Sequence, residues 1–420
     1  MPSMSLLQPA ATDDSNLDAD SASSVPGAAK PRVTFITNFA PHYRVKTFEL
    51  LAERYDTRFI YYSRGGEANW LKEHGVSTGR FRYQYLWGFS VAGVRIAPRL
   101  VPLAWSDDSD VTIKCINGKF ALPVVFLACM ARRRPSIIWT GDWSVGNSPA
   151  YRAAALFNRV VYQRADAIVT YGAHVTRHLI GQGVSPNKIF TSRHAVTNSE
   201  YARPVAASEI AALRARLGVP ESAKIVLFVG RLVPIKGLTY LMQGFAEACR
   251  ADDSYLVLAG TGPEQRPLEE LARGLGIGER VRFSGYIRPQ DTPVYYAASY
   301  LSVLPSVTWG GVKETWGLVV NEAFNQGVPV IATDAVGAAA GGLILDGENG
   351  FVVPEQNAEA IAASLHRLLS DPGLRERMSV NARDRIEGWD QVDMVGAFSQ
   401  AIQYVLQMRA HRATPGGRNQ

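Results

Sequence analysis

The sequence predicts an α/β protein built from two doubly wound, Rossmann-like domains facing a cleft, and three observations carry that prediction. At 420 residues the chain exceeds what one core of ordinary size organises. From Arg32 onward, short β-branched runs alternate with segments of helical periodicity, the pattern of parallel strands joined by crossover helices. That alternation stops over Tyr201 to Glu221 and then starts again, as it does at a junction between two such units.

Residues 1–30 are rich in Ser, Ala and Asp and lack a periodic apolar pattern. No core repays the entropy of ordering them, so a disordered tail is expected there, and another at 412–420. The first segment also lacks the basic start and apolar stretch of a signal peptide, and a cytoplasmic protein is expected. In residues 31–205, Arg32 to Thr37, Thr57 to Tyr62, Ser136 to Thr140 and Ala165 to Tyr171 read as strands, with helices at Tyr43 to Arg54 and Ala150 to Gln163. In residues 206–385 the strands are Lys224 to Val229, Tyr255 to Ala259, Val281 to Phe283, Leu301 to Leu304 and Val328 to Ala332. Helices fall between them at Leu238 to Arg250, Arg266 to Leu275 and Val319 to Gln326. Ligands of such sheets sit beyond the carboxyl ends of the strands, which places the site in the cleft between the halves.

Bulk properties exclude several classes. The longest apolar run, Phe120 to Ala131, contains Pro123 and is far shorter than the ~20 residues of a membrane span. Cys115, Cys129 and Cys249 are widely spaced in apolar stretches, without disulfide or metal-ligand spacing. Charge is unevenly divided: residues 31–205 hold 23 Lys and Arg against 11 Asp and Glu, whereas residues 206–420 hold 20 against 23. A basic first half, with Arg132-Arg133-Arg134 closing the apolar segment, points to an anionic lipid surface or to an ordinary solvated face. No nucleic-acid partner is expected.

The chemistry concentrates in the second half. The strand Lys224 to Val229 runs into Gly230-Arg231-Leu232-Val233-Pro234-Ile235-Lys236-Gly237, two cations just past a strand end with glycines on either side. A diphosphate fits that arrangement: Arg bridges two oxygens with its planar fork, Lys adds a point charge, and glycines let backbone amides approach. About eighty residues later, Glu314-Thr315-Trp316-Gly317-Leu318-Val319-Val320-Asn321-Glu322 sets two carboxylates across a loop-to-helix junction. Amides near Gly317 and Leu318 point toward an anion there, while the carboxylates accept hydrogen bonds from sugar hydroxyls.

These elements, in this order, resemble the donor site of glycosyltransferase family 4, a retaining family of the GT-B fold. Gly260-Thr261-Gly262-Pro263, Phe283-Ser284-Gly285-Tyr286 and Gly347-Glu348-Asn349-Gly350-Phe351 extend the resemblance over roughly residues 220 to 390. It implies that Gly230, Arg231 and Lys236 grip the diphosphate, that Glu314 binds donor-sugar hydroxyls at the reacting centre, and that Glu322 binds the ribose. It further implies that backbone from Gly317 through Leu318 to Val319 touches phosphate and sugar, that Tyr286 and Ile287 lie near the base, and that residues 386–411 form a helix crossing back to the first domain. The implied reaction moves a sugar from a UDP- or GDP-linked donor to a glycan, lipid-linked or small-molecule hydroxyl with retention of configuration. No metal cofactor is expected, because Arg231 and Lys236 already serve the leaving diphosphate.

In the first half, Thr37-Asn38-Phe39-Ala40-Pro41-His42-Tyr43-Arg44 follows the first strand, where many relatives carry a glycine-rich loop. Its Pro-aromatic-Arg form resembles a bacterial subgroup that builds surface polysaccharides. Asn38, His42 and Arg44 are the acceptor-side candidates, against a plain capping and packing role. After Ser136 to Thr140, where many relatives place a His, this chain has Gly141-Asp142. Asp142 and His174 are therefore the further catalytic candidates. Asp108-Ser109-Asp110 mimics a metal-binding Asp-x-Asp pair but precedes a strand, and solvated loop carboxylates are expected. A dinucleotide oxidoreductase lacks its third glycine, Gln265 standing in its place. A non-catalytic nucleotide-sugar-binding protein and a sugar-nucleotide epimerase remain as alternatives.

Overall fold

The computed structural model describes residues 29–64, 79–249 and 253–413; residues 1–28 and 414–420, where the two tails are expected, lie outside them, as does Arg250 at the end of one expected helix. The first sheet holds β1 (Arg32–Thr37), β2 (Asp56–Tyr61), β3 (Arg82–Tyr85), then, beyond a small antiparallel hairpin of β4 (Phe89–Val91) and β5 (Val94–Ile96), β6 (Val111–Cys115), β7 (Ser136–Thr140), β8 (Ala167–Thr170) and β9 (Ile189–Thr191). Its order is β3-β2-β1-β6-β7-β8-β9, with every neighbour parallel. The second holds β10 (Lys224–Val229), β11 (Ser254–Ala259), β12 (Val281–Gly285), β13 (Leu301–Leu304), β14 (Val330–Thr333) and β15 (Gly350–Val353), again parallel, in the order β12-β11-β10-β13-β14-β15.

Central strands of both sheets are buried along their whole length, as strands covered on both faces must be. Helices end where local chemistry dictates. Ser148 caps Pro149–Arg164 by accepting from the Tyr151 amide at 3.3 Å, and Asn357 caps Ala358–Ser370 through the Ala360 amide at 2.8 Å. Ala207–Leu217, inside the stretch read as a break, stops at Gly218 with φ +61°. Its Leu213 and Leu217 join the second core.

The last helix, Gln391–Ala413, returns to the first sheet. Met394, Val395, Phe398, Ile402 and Val405 sit in that core, and the Phe398 ring lies 5.3 Å from Trp139 and 6.0 Å from Phe35. Where the chain crosses, Trp389 stacks on Trp316 at 5.8 Å, and the His194 carbonyl accepts from both the Trp389 indole (3.2 Å) and the Asn321 amide (3.1 Å).

The structure sharpens several sequence readings. The strand expected after Asp110, without stated bounds, is β6; its Lys114 is fully buried, with its ammonium held by the carbonyls of Cys115 and Asn117. The strand expected at Ala165 to Tyr171 shortens to four residues, because Ala165 and Asp166 belong to the turn after the preceding helix. Among the described residues, no helix is long and apolar enough to cross a membrane.

Candidate active site

The loops that follow β10 and β11 pack backbone against backbone. A Cβ on Gly260, at φ +148°, would fall 1.8 Å from the Gly230 carbonyl oxygen, and one on Gly262 would fall 2.1 Å from that of Leu232. Glycine is thus what lets these turns come together behind Arg231. Gly237, at φ +61°, closes the Pro234–Lys236 turn against Pro305, whose carbonyl oxygen lies 2.1 Å from where a Cβ would be. This close fit fixes the Lys236 side chain.

Lys236 Nζ meets Glu314 Oε2 at 2.6 Å, and the Ser306 hydroxyl donates to the same oxygen at 3.2 Å; the Lys and Glu side chains are only 13% and 19% exposed. Burial alone would raise the Glu314 pKa, but the Lys236 charge and hydrogen bond, with Ser306 and the nearby Arg231, outweigh it and hold the carboxylate ionised. Arg231 is exposed and has no ion-pair partner among the described residues. Glu314, Lys236 and Arg231 therefore share one electrostatic neighbourhood at the mouth of β10.

Glu322 sits in the first turn of Val319–Asn325, facing Tyr296, whose hydroxyl lies 3.2 Å from Glu322 Oε2 and 3.1 Å from the Val319 carbonyl. Tyr201 also hydrogen-bonds this carboxyl. Burial pushes Glu322 up to about 7, opposed by the hydrogen bonds from Tyr296 and Tyr201. The amides of Leu318 and Val319 find no acceptor among the described residues. Gly317, at φ +94°, turns the chain into the helix beneath Leu304. Tyr286 and Ile287 follow β12, Ile287 packing on the second core and Gly285 bridging to Gly260. The structure thus brings the expected donor residues to neighbouring strand ends of one sheet.

The first domain grips this loop from the other side. Trp143 Nε1 donates to the Glu314 carbonyl at 3.1 Å, and a Cβ on Gly141 would strike Thr315 Cγ2 at 2.3 Å. Asp142, between them, opens to the cleft on one side and is enclosed by protein on the others; that enclosure raises its pKa to about 6.

His174 is 3% exposed, set between Trp143 (5.0 Å) and Trp316 (5.6 Å), with Nε2 3.1 Å from the Thr315 carbonyl. A carbonyl only accepts, so Nε2 carries the proton, and burial lowers the pKa to about 4. Its ring thereby holds the Glu314 loop through the Thr315 carbonyl. Arg44 likewise commits its guanidinium to the first domain, 4.4 Å over the Trp139 ring and 2.5 Å from the Tyr171 hydroxyl. His42 packs edge-on to Tyr43, and Asn38 accepts from Asn117 Nδ2 at 3.2 Å.

Sequence reasoning missed the polar cluster behind Asn38. Lys114 Nζ donates to the carbonyls of Cys115 (2.5 Å) and Asn117 (2.7 Å), and the Tyr62 hydroxyl donates to Asn117 Oδ1 at 2.6 Å. Burial lowers Lys114 to about 7. A lysine alone in an apolar strand was the available signal. Asp108 and Asp110 lie at the opposite, N-terminal end of the first sheet, both paired with Arg32 at 2.6 and 3.8 Å, beside a separate cavity of about 400 Å³. They are far in the fold from the loops that follow β10 and β13.

The loop at 308–313 reaches across to the first domain. Trp309 and Val312 exchange backbone hydrogen bonds around Gly310-Gly311, at φ +58° and +84°, forming a tight hairpin. Its tip accepts from the Asn147 amide at 2.7 Å, and the Lys313 amide donates to Ser144 Oγ at 2.9 Å. The hairpin bridges the domains.

Residues 209–385 match the family model of glycosyl transferases group 1. The chain is 31% identical over 279 residues to a D-inositol 3-phosphate glycosyltransferase of Streptomyces bingchenggensis, covering 64% of this chain and 58% of that one. It is 38% identical over 173 residues to an alpha-D-kanosaminyltransferase of Streptomyces kanamyceticus, covering 41% and 43%. It therefore spans less than two thirds of the length of these relatives. In fold it is similar to HepE of Anabaena, with a TM-score of 0.71 at 21% identity over 89% of this chain and 99% of that one. The chain thus has the two-domain GT-B fold and resembles glycosyltransferase family 4, with residues 209–385 forming a glycosyl transferases group 1 domain.

Proposed function

We propose that this protein is a retaining glycosyltransferase that moves a sugar from a UDP- or GDP-linked donor to a hydroxyl of a glycan, lipid-linked glycan or small molecule. The observation that carries the reading is the half-buried Lys236–Glu314 pair, with Arg231 beside it and Glu322 on the adjoining helix. Structures of HepE from Anabaena that contain UDP or UDP-glucose support the donor class.

Arg231 and Lys236 stabilise the charge that grows on the departing diphosphate, and Glu314 holds donor-sugar hydroxyls while Lys236 anchors its other side. Glu322 accepts from the ribose hydroxyls, and the free amides of Leu318 and Val319 face the phosphate or sugar. Gly230 leaves room for the diphosphate, and Tyr286 and Ile287 flank the base. The anomeric carbon–oxygen bond to the diphosphate breaks as the acceptor oxygen bonds the same face of that carbon, and the acceptor proton passes to a departing phosphate oxygen. No enzyme nucleophile and no metal enters these steps. Asp142 orients the acceptor hydroxyl, with Asn38 and His42 on the same side of the cleft.

The experiment is heat protection by a panel of nucleoside diphosphates, followed by release of nucleoside diphosphate from the donor on addition of acceptor. A ligand at ~100 times its dissociation constant adds ~2.7 kcal/mol, an easily read shift. No protection by any member of the panel would rule out this reading. Release without acceptor would favour an epimerase-like or hydrolytic activity.

A further inference from the structure

A cavity of about 730 Å³ opens beside Asp142, between the helices Ala121–Ala131 and Pro149–Arg164 and the interdomain hairpin. Asp142 from the first domain and Thr315, next to Glu314, from the second both line it. Its volume lies within the range of small-molecule sites. The walls are chiefly apolar: Leu122, Pro123, Ala154, Phe157 and Val312 face it.

The apolar character does not end at the cavity. The first two turns of Pro149–Arg164, residues 149–156, are Pro-Ala-Tyr-Arg-Ala-Ala-Ala-Leu and carry one charge, Arg152, yet nearly all of them are exposed, Tyr151 by 57%. On the facing helix, Leu127 is 58% exposed one turn beyond Pro123, on the same face. Burying such surface is favourable, and a water-soluble acceptor would leave it bare. The basic residues Lys119, Arg132, Arg133 and Arg152 border the two helices, and their charge suits the phosphate that joins a glycan to a lipid.

We propose that the acceptor is amphipathic: its hydroxyl is presented at Asp142, and the first part of an alkyl or isoprenoid chain lies in this cavity, leaving between the two helices toward the surface. The inference rests on the transferase reading above and names the substrate class for that same site. The bridging hairpin closes one wall of the cavity through Val312 and Lys313, so the chain-binding wall is continuous with the loop that carries Glu314. Lys313 Nζ, 4.9 Å from the Trp143 ring, leaves that wall with one cation beside an aromatic face.

The test uses the whole protein and dodecyl β-maltoside below its micelle concentration, against methyl β-maltoside, by calorimetric titration. The dodecyl compound is expected to bind at least about tenfold more tightly, because several methylenes leave water. Ala154→Trp, or Ala150→Trp should the first not fold, fills the cavity and is expected to abolish that advantage while nucleoside diphosphate protection stays intact. Equal binding of the two maltosides, or a chain advantage that survives both variants, overturns the proposal. So does loss of the advantage in Trp105→Ala, since that exposed residue lies on a different helix and outside the cavity. A p-nitrophenyl maltoside that binds as tightly as the dodecyl compound also overturns it, replacing the chain with a compact aromatic group. Absence of diphosphate protection in the wild type would sink the transferase reading with it, whereas chain-independent binding beside intact protection sinks the cavity assignment alone.

Discussion

Donor binding should depend on pH through Glu322, and the structure sets the size of the effect. In the free protein its carboxyl is pushed up to about 7 by burial, with Tyr296 and Tyr201 hydroxyls hydrogen-bonded to it. Two ribose hydroxyls donate to a carboxylate but not equally to a carboxylic acid, so the bound donor holds Glu322 ionised. Affinity is therefore complete above the free pKa and is lost as pH falls through it. At pH 6 about one molecule in ten carries the charge, which predicts roughly tenfold weaker binding than at pH 8, ~1.4 kcal/mol. The nucleotide's own phosphate titrates near the same range, with a second pKa of about 6, so Glu322→Gln serves as the reference in identical buffers. That variant should bind roughly 10- to 150-fold more weakly at pH 8, the worth of ~1.5–3 kcal/mol for hydrogen bonds to a charge, and should retain only the nucleotide's own pH dependence. Calorimetric titration of UDP and GDP from pH 6 to 8 reads both quantities. Identical pH profiles for wild type and Glu322→Gln would refute the reasoning, because Glu322 then does not change its charge on binding.

Other outcomes follow from the same geometry. Lys236→Met removes the cation 2.6 Å from Glu314 and should lower kcat about 100- to 1000-fold in single-turnover assays, with a smaller change in donor affinity. His174→Ala frees the Thr315 carbonyl and should lower kcat while leaving nucleoside diphosphate affinity within about threefold. His174→Gln, which still donates there, should restore most of it, and because the His174 pKa is about 4 neither effect should vary between pH 6 and 8. Gly260→Ala places a methyl 1.8 Å from the Gly230 carbonyl oxygen at φ +148°; urea unfolding should find it at least about 2 kcal/mol less stable, with diphosphate binding lost even where it folds.

Much of this architecture was legible because local chemistry repeats. β10 reads as an uninterrupted apolar run ending in glycine and two cations, and parallel strands buried on both faces leave that mark in any context. Glu314 and Glu322 were legible for a related reason: carboxylates around a glycine at a helix start are conspicuous in one dimension. The role of Lys114 was not legible, since its cost in an apolar strand is offset by the carbonyls of Cys115 and Asn117, which the chain supplies only once the loop after β6 folds back. For His174 and Arg44 the sequence left a packing role and a site role open. A strand-end histidine and a cleft-side arginine carry the right chemistry, but Trp143 and Trp316 enclose one and Trp139 covers the other.

By itself, then, the sequence determined the two parallel sheets, the alternation that builds them and the composition of the loops after β10 and β13, because strand burial, helix periodicity and glycine-cation turns are local properties. Only the tertiary structure decided which polar side chains are free to meet a ligand, which serve to hold the Glu314 loop, and that an apolar cavity forms where residues from 116 to 315 converge. Those outcomes depend on contacts across both domains, and the free energy of placing a charge or an apolar surface is set by neighbours that lie far away along the chain.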